Sequence, residues 1–170
     1  MYVLYALRVR HSGYRVMIRI IRELDAYCDL LRYSMACHIS PITAGLRMDI
    51  SAHSLEYVFK DALAGMMDLL KPGVSGKARG VERTIQVTAK NLSTLLVDFL
   101  NEALASAYAN REIYTGLRFR TLSTTTVEAL LNGRAMTEFD RNIKAVTQRR
   151  ARVEENSDRG DWTSRLVISV

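Results

Sequence analysis

Residues Asn91 to Tyr108 read NLSTLLVDFLNEALASAY. At 3.6 residues per turn Leu92, Leu95, Leu96, Phe99, Leu100, Ala103, Leu104 and Ala107 share one stripe, and Asp98, Asn101 and Glu102 fall away from it. So wide an apolar stripe has to be covered by an apolar surface, and the segments on either side supply one, because both alternate as strands do. Val81, Ile85 and Val87 interleave with Glu82, Thr84 and Gln86 before the helix, and Phe119 stands between Arg118 and Arg120 after it. A helix lying on a sheet follows. Asn91 or Ser93 is the predicted N-cap, and Asn110, tolerant of the left-handed conformation, closes the helix with Arg111 behind it.

The remaining elements fall around this helix. Leu46, Met48 and Ile50 alternate with Arg47, Asp49 and Ser51 as a half-buried strand. Ser54 then starts a second helix, carrying Val58, Phe59, Ala62, Leu63, Met66, Met67 and Leu70 at helical spacing until Lys71-Pro72-Gly73 stops it. After the 91–108 helix, Leu117 to Thr125 and Val127 to Leu131 read as strands, with Asn132-Gly133 as a turn signal. Ile143 to Val153 and Trp162 to Val170 form a last pair joined by a polar hairpin loop, Glu154 to Asp161. The order β-α-β-α-β-β-β-β has too few crossovers for a doubly wound sheet. It predicts an α+β two-layer sandwich, a mainly antiparallel sheet with two principal helices on one face.

At 170 residues and 48% hydrophobic the chain is long enough for one well-cored domain. That domain is placed at residues 35–170, with 1–34 as an N-terminal extension whose spacing predicts an amphipathic helix over Tyr14 to Tyr33. Its arginines suit a targeting or membrane-surface helix, but Glu23, Asp25 and Asp29 do not, so a helix docked on the domain is expected. No apolar run reaches the roughly 20 residues that cross a bilayer, and the two cysteines, Cys28 and Cys37, form neither a disulfide framework nor a zinc motif. A soluble cytoplasmic protein without a membrane partner is the expectation.

Residue chemistry does not point to an enzyme. His11, His38 and His53 form no i, i+4 metal pair. Gly73 and Gly76 enclose two residues where a phosphate loop needs four, and Ala78 follows Lys77 where it needs Ser or Thr. Asp98 and Glu102 read as a solvated surface pair, and the acids of the Glu154–Asp161 loop lack the glycine-centred spacing of a calcium loop. The balance of 24 Lys and Arg against 18 Asp and Glu, a formal +6, favours acidic partners. Arg118, Arg120, Arg149, Arg150 and Arg152 could form a basic strand face that contacts RNA, which makes an RNA-binding module the alternative reading.

The stretch Leu95-Leu96-Val97-Asp98-Phe99-Leu100-Asn101-Glu102 closely resembles the LL-x-D-W-L-N-E segment of the archease family, with Phe99 in place of Trp. Further pieces match in order. Thr43-Ala44-Gly45 looks like a reduced D-H-T-A-D-x-G opening, Ser54 to Met67 looks like the family's first helix, Lys144-Ala145-Val146-Thr147 matches K-A-V-T, and Trp162 to Val170 resembles the last strand. The resemblance implies a fold of strand-helix-strand-strand units. It also implies an accessory role, activating the GTP-dependent RNA-splicing ligase by promoting its guanylylation and turnover in tRNA splicing or repair, with the ligase as partner and tRNA or other RNA met indirectly. It implies a divalent cation, calcium or similar, held by acids of the opening motif and the C-terminus, with Lys144, Thr43 and Thr147 in the same region. This chain departs from the pattern there. Pro41-Ile42 replaces the opening Asp-His, Gly45 stands where the second Asp is expected, Ser169 where the terminal acid is, and Gln148-Arg149 where Tyr-His follows the K-A-V-T. Asp49 is left as the candidate ligand, and a diverged, impaired member that holds the cation poorly or not at all is the expectation.

Overall fold

The computed structural model describes residues 37–43, 45–70, 80–156 and 160–170. The predicted extension 1–34, the glycine-containing loop at 71–79 and the middle of the 154–161 loop lie outside the described residues. In order, the elements are β1 (Cys37–Ile42), β2 (Gly45–Ala52), α1 (Leu55–Leu70), β3 (Gly80–Thr88), α2 (Leu92–Asn110), β4 (Glu112–Leu122), β5 (Thr126–Ala135), β6 (Ala145–Asn156) and β7 (Asp161–Ser169).

The α+β class with two principal helices is as the periodicity predicts, but the strands divide between two antiparallel sheets, ordered β1-β2-β7-β6 and β3-β5-β4. A physical reason lies along α2. Strand β6 ends its sheet, and three backbone groups on its free edge, at Val146 and Val153, are taken by α2 side chains, which stands in the way of a further strand there. Asn101 donates from Nδ2 to the Val146 carbonyl at 2.9 Å and accepts the Val146 N–H on Oδ1 at 2.8 Å. Ser93 accepts the Val153 N–H at 3.0 Å. Near the other end of the helix, the Tyr108 hydroxyl accepts the N–H of Ile143, just before β6, and donates to the same residue's carbonyl.

Each helix touches a strand of both sheets, and one continuous core results. Phe59 of α1 sits at its centre, with ring centroids 5.4 Å from Phe99 of α2 and 6.1 Å, nearly edge-on, from Phe119 of β4. Met48 and Ile50 of β2 and Leu166 and Ile168 of β7 point into this core. Burying each such side chain stabilises the fold by about 1.5–3 kcal/mol.

Two local expectations are corrected. The helix is capped by Asn91, which accepts the Thr94 N–H at 2.9 Å, but Arg111 and not Asn110 takes the left-handed conformation, φ 53° and ψ 58°. Asn110 stays helical and its amide donates to the Ser106 carbonyl, so the side chain that would suit the turn is spent inside the helix. Asn132-Gly133 is not a turn: it lies within β5, beside a bulge in β4, where any Cβ on residue 133 would strike the Ile113 carbonyl. The turn between β4 and β5 is made instead by Ser123, whose hydroxyl accepts the Thr125 and Thr126 N–H groups. Strand β1 was not predicted. It is a sheet edge, where Pro41 is tolerated.

Candidate functional site

The inner face of the four-stranded sheet is core, and no described helix covers the outer face. Strand alternation fixes which side chains it presents: Ser40 of β1 opposite Arg47 of β2, His38 opposite Asp49, Asp49 opposite Arg165 of β7, and Arg165 opposite Arg152 of β6. Strand β6 is irregular at this point. Between the pairs Thr147–Val167 and Arg152–Arg165, the four residues Gln148 to Ala151 stand against Leu166 alone. Arg150 within that bulge has φ 71°, a conformation that non-glycine residues seldom adopt. Such bulges re-aim side chains out of the regular pleat.

An open concavity of about 920 Å³ lies at the bulge and gathers Ile42, Thr43, Thr147, Arg149 and Ser169. The structure therefore unites the opening motif, the K-A-V-T segment and the last strand, which are up to a hundred or more positions apart in the chain. Lys144 sits beside it: its N–H donates to the Ser169 carbonyl at 2.8 Å, and its Nζ lies 3.0 Å from the Val170 main-chain oxygen. Gly45 closes the β1–β2 hairpin opposite Ile42, at φ 131°, and a Cβ there would collide with the Ile168 carbonyl. Only glycine fits. Arg47, Arg150, Arg152 and Arg165 join Arg149 in the lining, and no carboxylate of the described residues takes part. Arg47 and Arg165 were not singled out from the sequence, although their outward place in the strand alternation was a signal for both.

Asp49 lines a second concavity of about 670 Å³ with His38, Glu154, Arg152 and Arg165. Its carboxylate is already engaged on both oxygens, Oδ1 by Arg165 Nε at 2.7 Å and Oδ2 by Arg47 Nε at 2.8 Å. Its partial burial pushes the carboxyl up, but the Arg165 hydrogen bond and the two guanidinium charges outweigh this and hold it below the usual value of 3.8. The residues of this face do not fit the divalent cation that the resemblance implies. A hard cation needs several free anionic oxygens. Asp49 is a single carboxylate held between two guanidinium groups, positions 42, 45 and 169 offer no carboxylate, and among the described residues no three His, Cys, Asp or Glu side chains converge.

The basic strand face expected from sequence is split. Arg118 and Arg120 belong to β4 of the three-stranded sheet, where Arg120 pairs with Glu128 at 3.0 Å, whereas Arg149 belongs to β6 of the other sheet. Asp98 is not part of a simple surface pair with Glu102, since it accepts a 2.9 Å hydrogen bond from Gln148 in the bulge. Among the described residues no helix is long and apolar enough to cross a membrane.

Comparison with known proteins locates the fold. The solution structure of protein 1598 from Methanobacterium thermoautotrophicum is similar over 79% of this chain and 99% of its own, with TM-score 0.57 at 19% identity. The crystal structure of an archease from Thermotoga maritima, described as a possible chaperone, is similar over 77% of this chain and 96% of its own, with TM-score 0.56 at 16% identity. At these identities the likeness is one of fold. No curated protein matches the chain. The family model for the archease protein family (MTH1598/TM1083) matches residues 38–170, from the first residues of β1 through the end of β7, and this chain belongs to the archease family.

Proposed function

We propose that this chain is an accessory protein that activates a GTP-dependent RNA-splicing ligase in the cytoplasm, promoting its guanylylation and turnover in tRNA splicing or RNA repair. The observation that carries the reading is family membership across residues 38–170. The description of the Thermotoga maritima archease as a possible chaperone supports a role exercised on another protein and not on a small substrate. Lys144, Thr43 and Thr147 are the residues assigned to the ligase contact, and they lie at one end of the four-stranded sheet, with Thr43 and Thr147 lining one concavity. The chain performs this role without a carboxylate-held cation of its own, because arginines occupy the face where acids are expected.

The test adds the purified chain to the RNA-splicing ligase of its own organism and follows transfer of labelled GMP to the ligase. Faster guanylylation and multiple turnover are expected, and Lys144→Ala should reduce them. If the chain gives no stimulation where a control archease is active on its own ligase, the accessory role is lost.

A further inference from the structure

Five guanidinium groups, those of Arg47, Arg149, Arg150, Arg152 and Arg165, share the lining of one open concavity, with no carboxylate of the described residues among them. Two acids at its rim offset part of this charge, Asp49 against Arg47 and Arg165, and Glu154 against Arg152 at 2.9 Å. All three arginines meet these acids through Nε. Each keeps its four terminal N–H donors uncommitted to a carboxylate. Among the described residues Arg149 and Arg150 have no ion pair at all.

Two further observations support a built site. Arg152 and Arg165 are direct cross-strand partners on the same face, a placement of like charges that is unfavourable and that Glu154 and Asp49 relieve only in part, with one carboxylate contact to each guanidinium. Arg150 holds φ 71° within a four-against-one bulge, and backbone strain of this kind persists only where the surrounding structure over-determines it, as at ligand-binding positions. The hydroxyls of Thr43 and Ser169 add donors that no described residue engages, whereas Thr147 already donates to the Val167 carbonyl at 3.2 Å.

We propose that this concavity binds a phosphate-class oxyanion bearing several negative charges, so that a face expected to hold a cation through carboxylates is inverted here to hold an anion through arginines. Guanidinium forks match phosphate oxygens in geometry as well as charge. The shared chemistry is the phosphate oxyanion, whether it belongs to a nucleoside triphosphate or to consecutive phosphodiesters of RNA. Such binding involves the chain alone and does not depend on the ligase reading.

The experiment titrates the full chain with inorganic tripolyphosphate at low ionic strength by calorimetry, with calcium chloride in parallel. Saturable tripolyphosphate binding that weakens as salt is raised is expected, without saturable calcium binding. Arg149→Glu with Arg150→Glu should weaken it by about a hundredfold, roughly tenfold for each charge-assisted hydrogen bond removed, while Arg118→Glu on the other sheet leaves it unchanged. Should the double charge reversal not fold, Arg149→Ser with Arg150→Asn serves, since Asn accepts the left-handed backbone. Displacement by a nucleoside triphosphate alone assigns the site to nucleotides, and displacement by a single-stranded RNA oligonucleotide alone assigns it to the phosphodiester backbone. Failure of tripolyphosphate to bind, equal weakening by Arg118→Glu, saturable calcium binding at this face, or full affinity in the folded bulge variant overturns the proposal.

Discussion

The contact between Asn101 and Val146 makes a sharp test of how α2 supports the four-stranded sheet. Asn101→Ala removes both hydrogen bonds, at 2.9 and 2.8 Å, and leaves the N–H and C=O of Val146 on the edge of β6 without their partners. Val146 is 2% exposed, so water does not readily replace them. Stranding two buried backbone groups costs about 1–3 kcal/mol each, of which relaxation recovers some, giving a loss of about 2–4 kcal/mol. Against a total stability of about 5–15 kcal/mol this is large, and it should lower the melting temperature by about 10 °C. Glu102, the neighbouring residue of the same sequence signature, is exposed and makes no comparable bond, so Glu102→Ala should stay within about 0.5 kcal/mol. Denaturant unfolding gives both values, and amide exchange at Val146 shows whether the loss is local. If Asn101→Ala matches Glu102→Ala in stability, or leaves Val146 exchange unchanged, the view of α2 as the cover of the β6 edge is refuted.

Two other perturbations follow from the geometry. Gly45→Asp would supply the acid that the family resemblance expects at that position, yet it should destabilise by about 3 kcal/mol and gain no calcium affinity, because φ 131° is a glycine conformation and the new Cβ meets the Ile168 carbonyl; urea midpoints and calcium calorimetry read both. Glu112, with 4% of its side chain exposed, is held below its ordinary value of 4.5 chiefly by the Arg83 hydrogen bonds, at 2.7 and 2.9 Å, with the Tyr114 hydroxyl adding to them against the opposing effect of burial. A depressed carboxyl stabilises fully above its unfolded value, and that contribution is lost as pH falls through the folded one. Melting temperatures taken from about pH 6 down to pH 3 should therefore fall less steeply in Glu112→Gln than in the wild type, and equal slopes would count against the pair.

Much of the fold was legible because the relevant signals are local. The stripe of α2, the N-cap at Asn91, the helix from Leu55 and the alternation of β2 and β3 all depend on neighbours within a few positions. The failures are long-range. Asn132-Gly133 carries the composition of a tight turn, but the glycine is there because β4 approaches too closely for a side chain, and that approach is set by residues 19 and 20 positions away, Tyr114 and Ile113. The division into two sheets likewise depends on α2 meeting β6 across 45 to 60 positions. Of the site residues, Thr43, Thr147, Arg149 and Ser169 do converge, whereas Arg118 and Arg120 lie in the other sheet. Strand order decides which arginines are neighbours, and strand order is not written in any one strand. Arg47 and Arg165 were hidden for the same reason, since they become part of one cluster only when β2 and β7 pair.

The separation of faces explains how such a site can change the sign of its charge without disturbing the scaffold. Met48, Ile50, Leu166 and Ile168 fix the register of β2 and β7 from the inside, and a slip by one residue would turn all of them outward. Arg47, Asp49 and Arg165 occupy the alternate positions, where the core places no demand on their charge. What does need fixing is the bulge that carries Arg149 and Arg150, because an extra loop of strand has no ladder to hold it. Helix α2 supplies that restraint on both sides. Asn101 grips Val146 before the bulge, Asp98 meets Gln148 at its start, and Ser93 grips Val153 beyond it. Ser93, Asp98 and Asn101 are therefore not surplus to the helix. They tie the most recognisable segment of the sequence to the strand that presents the arginines, and loosening any of them should move the site before it unfolds the core.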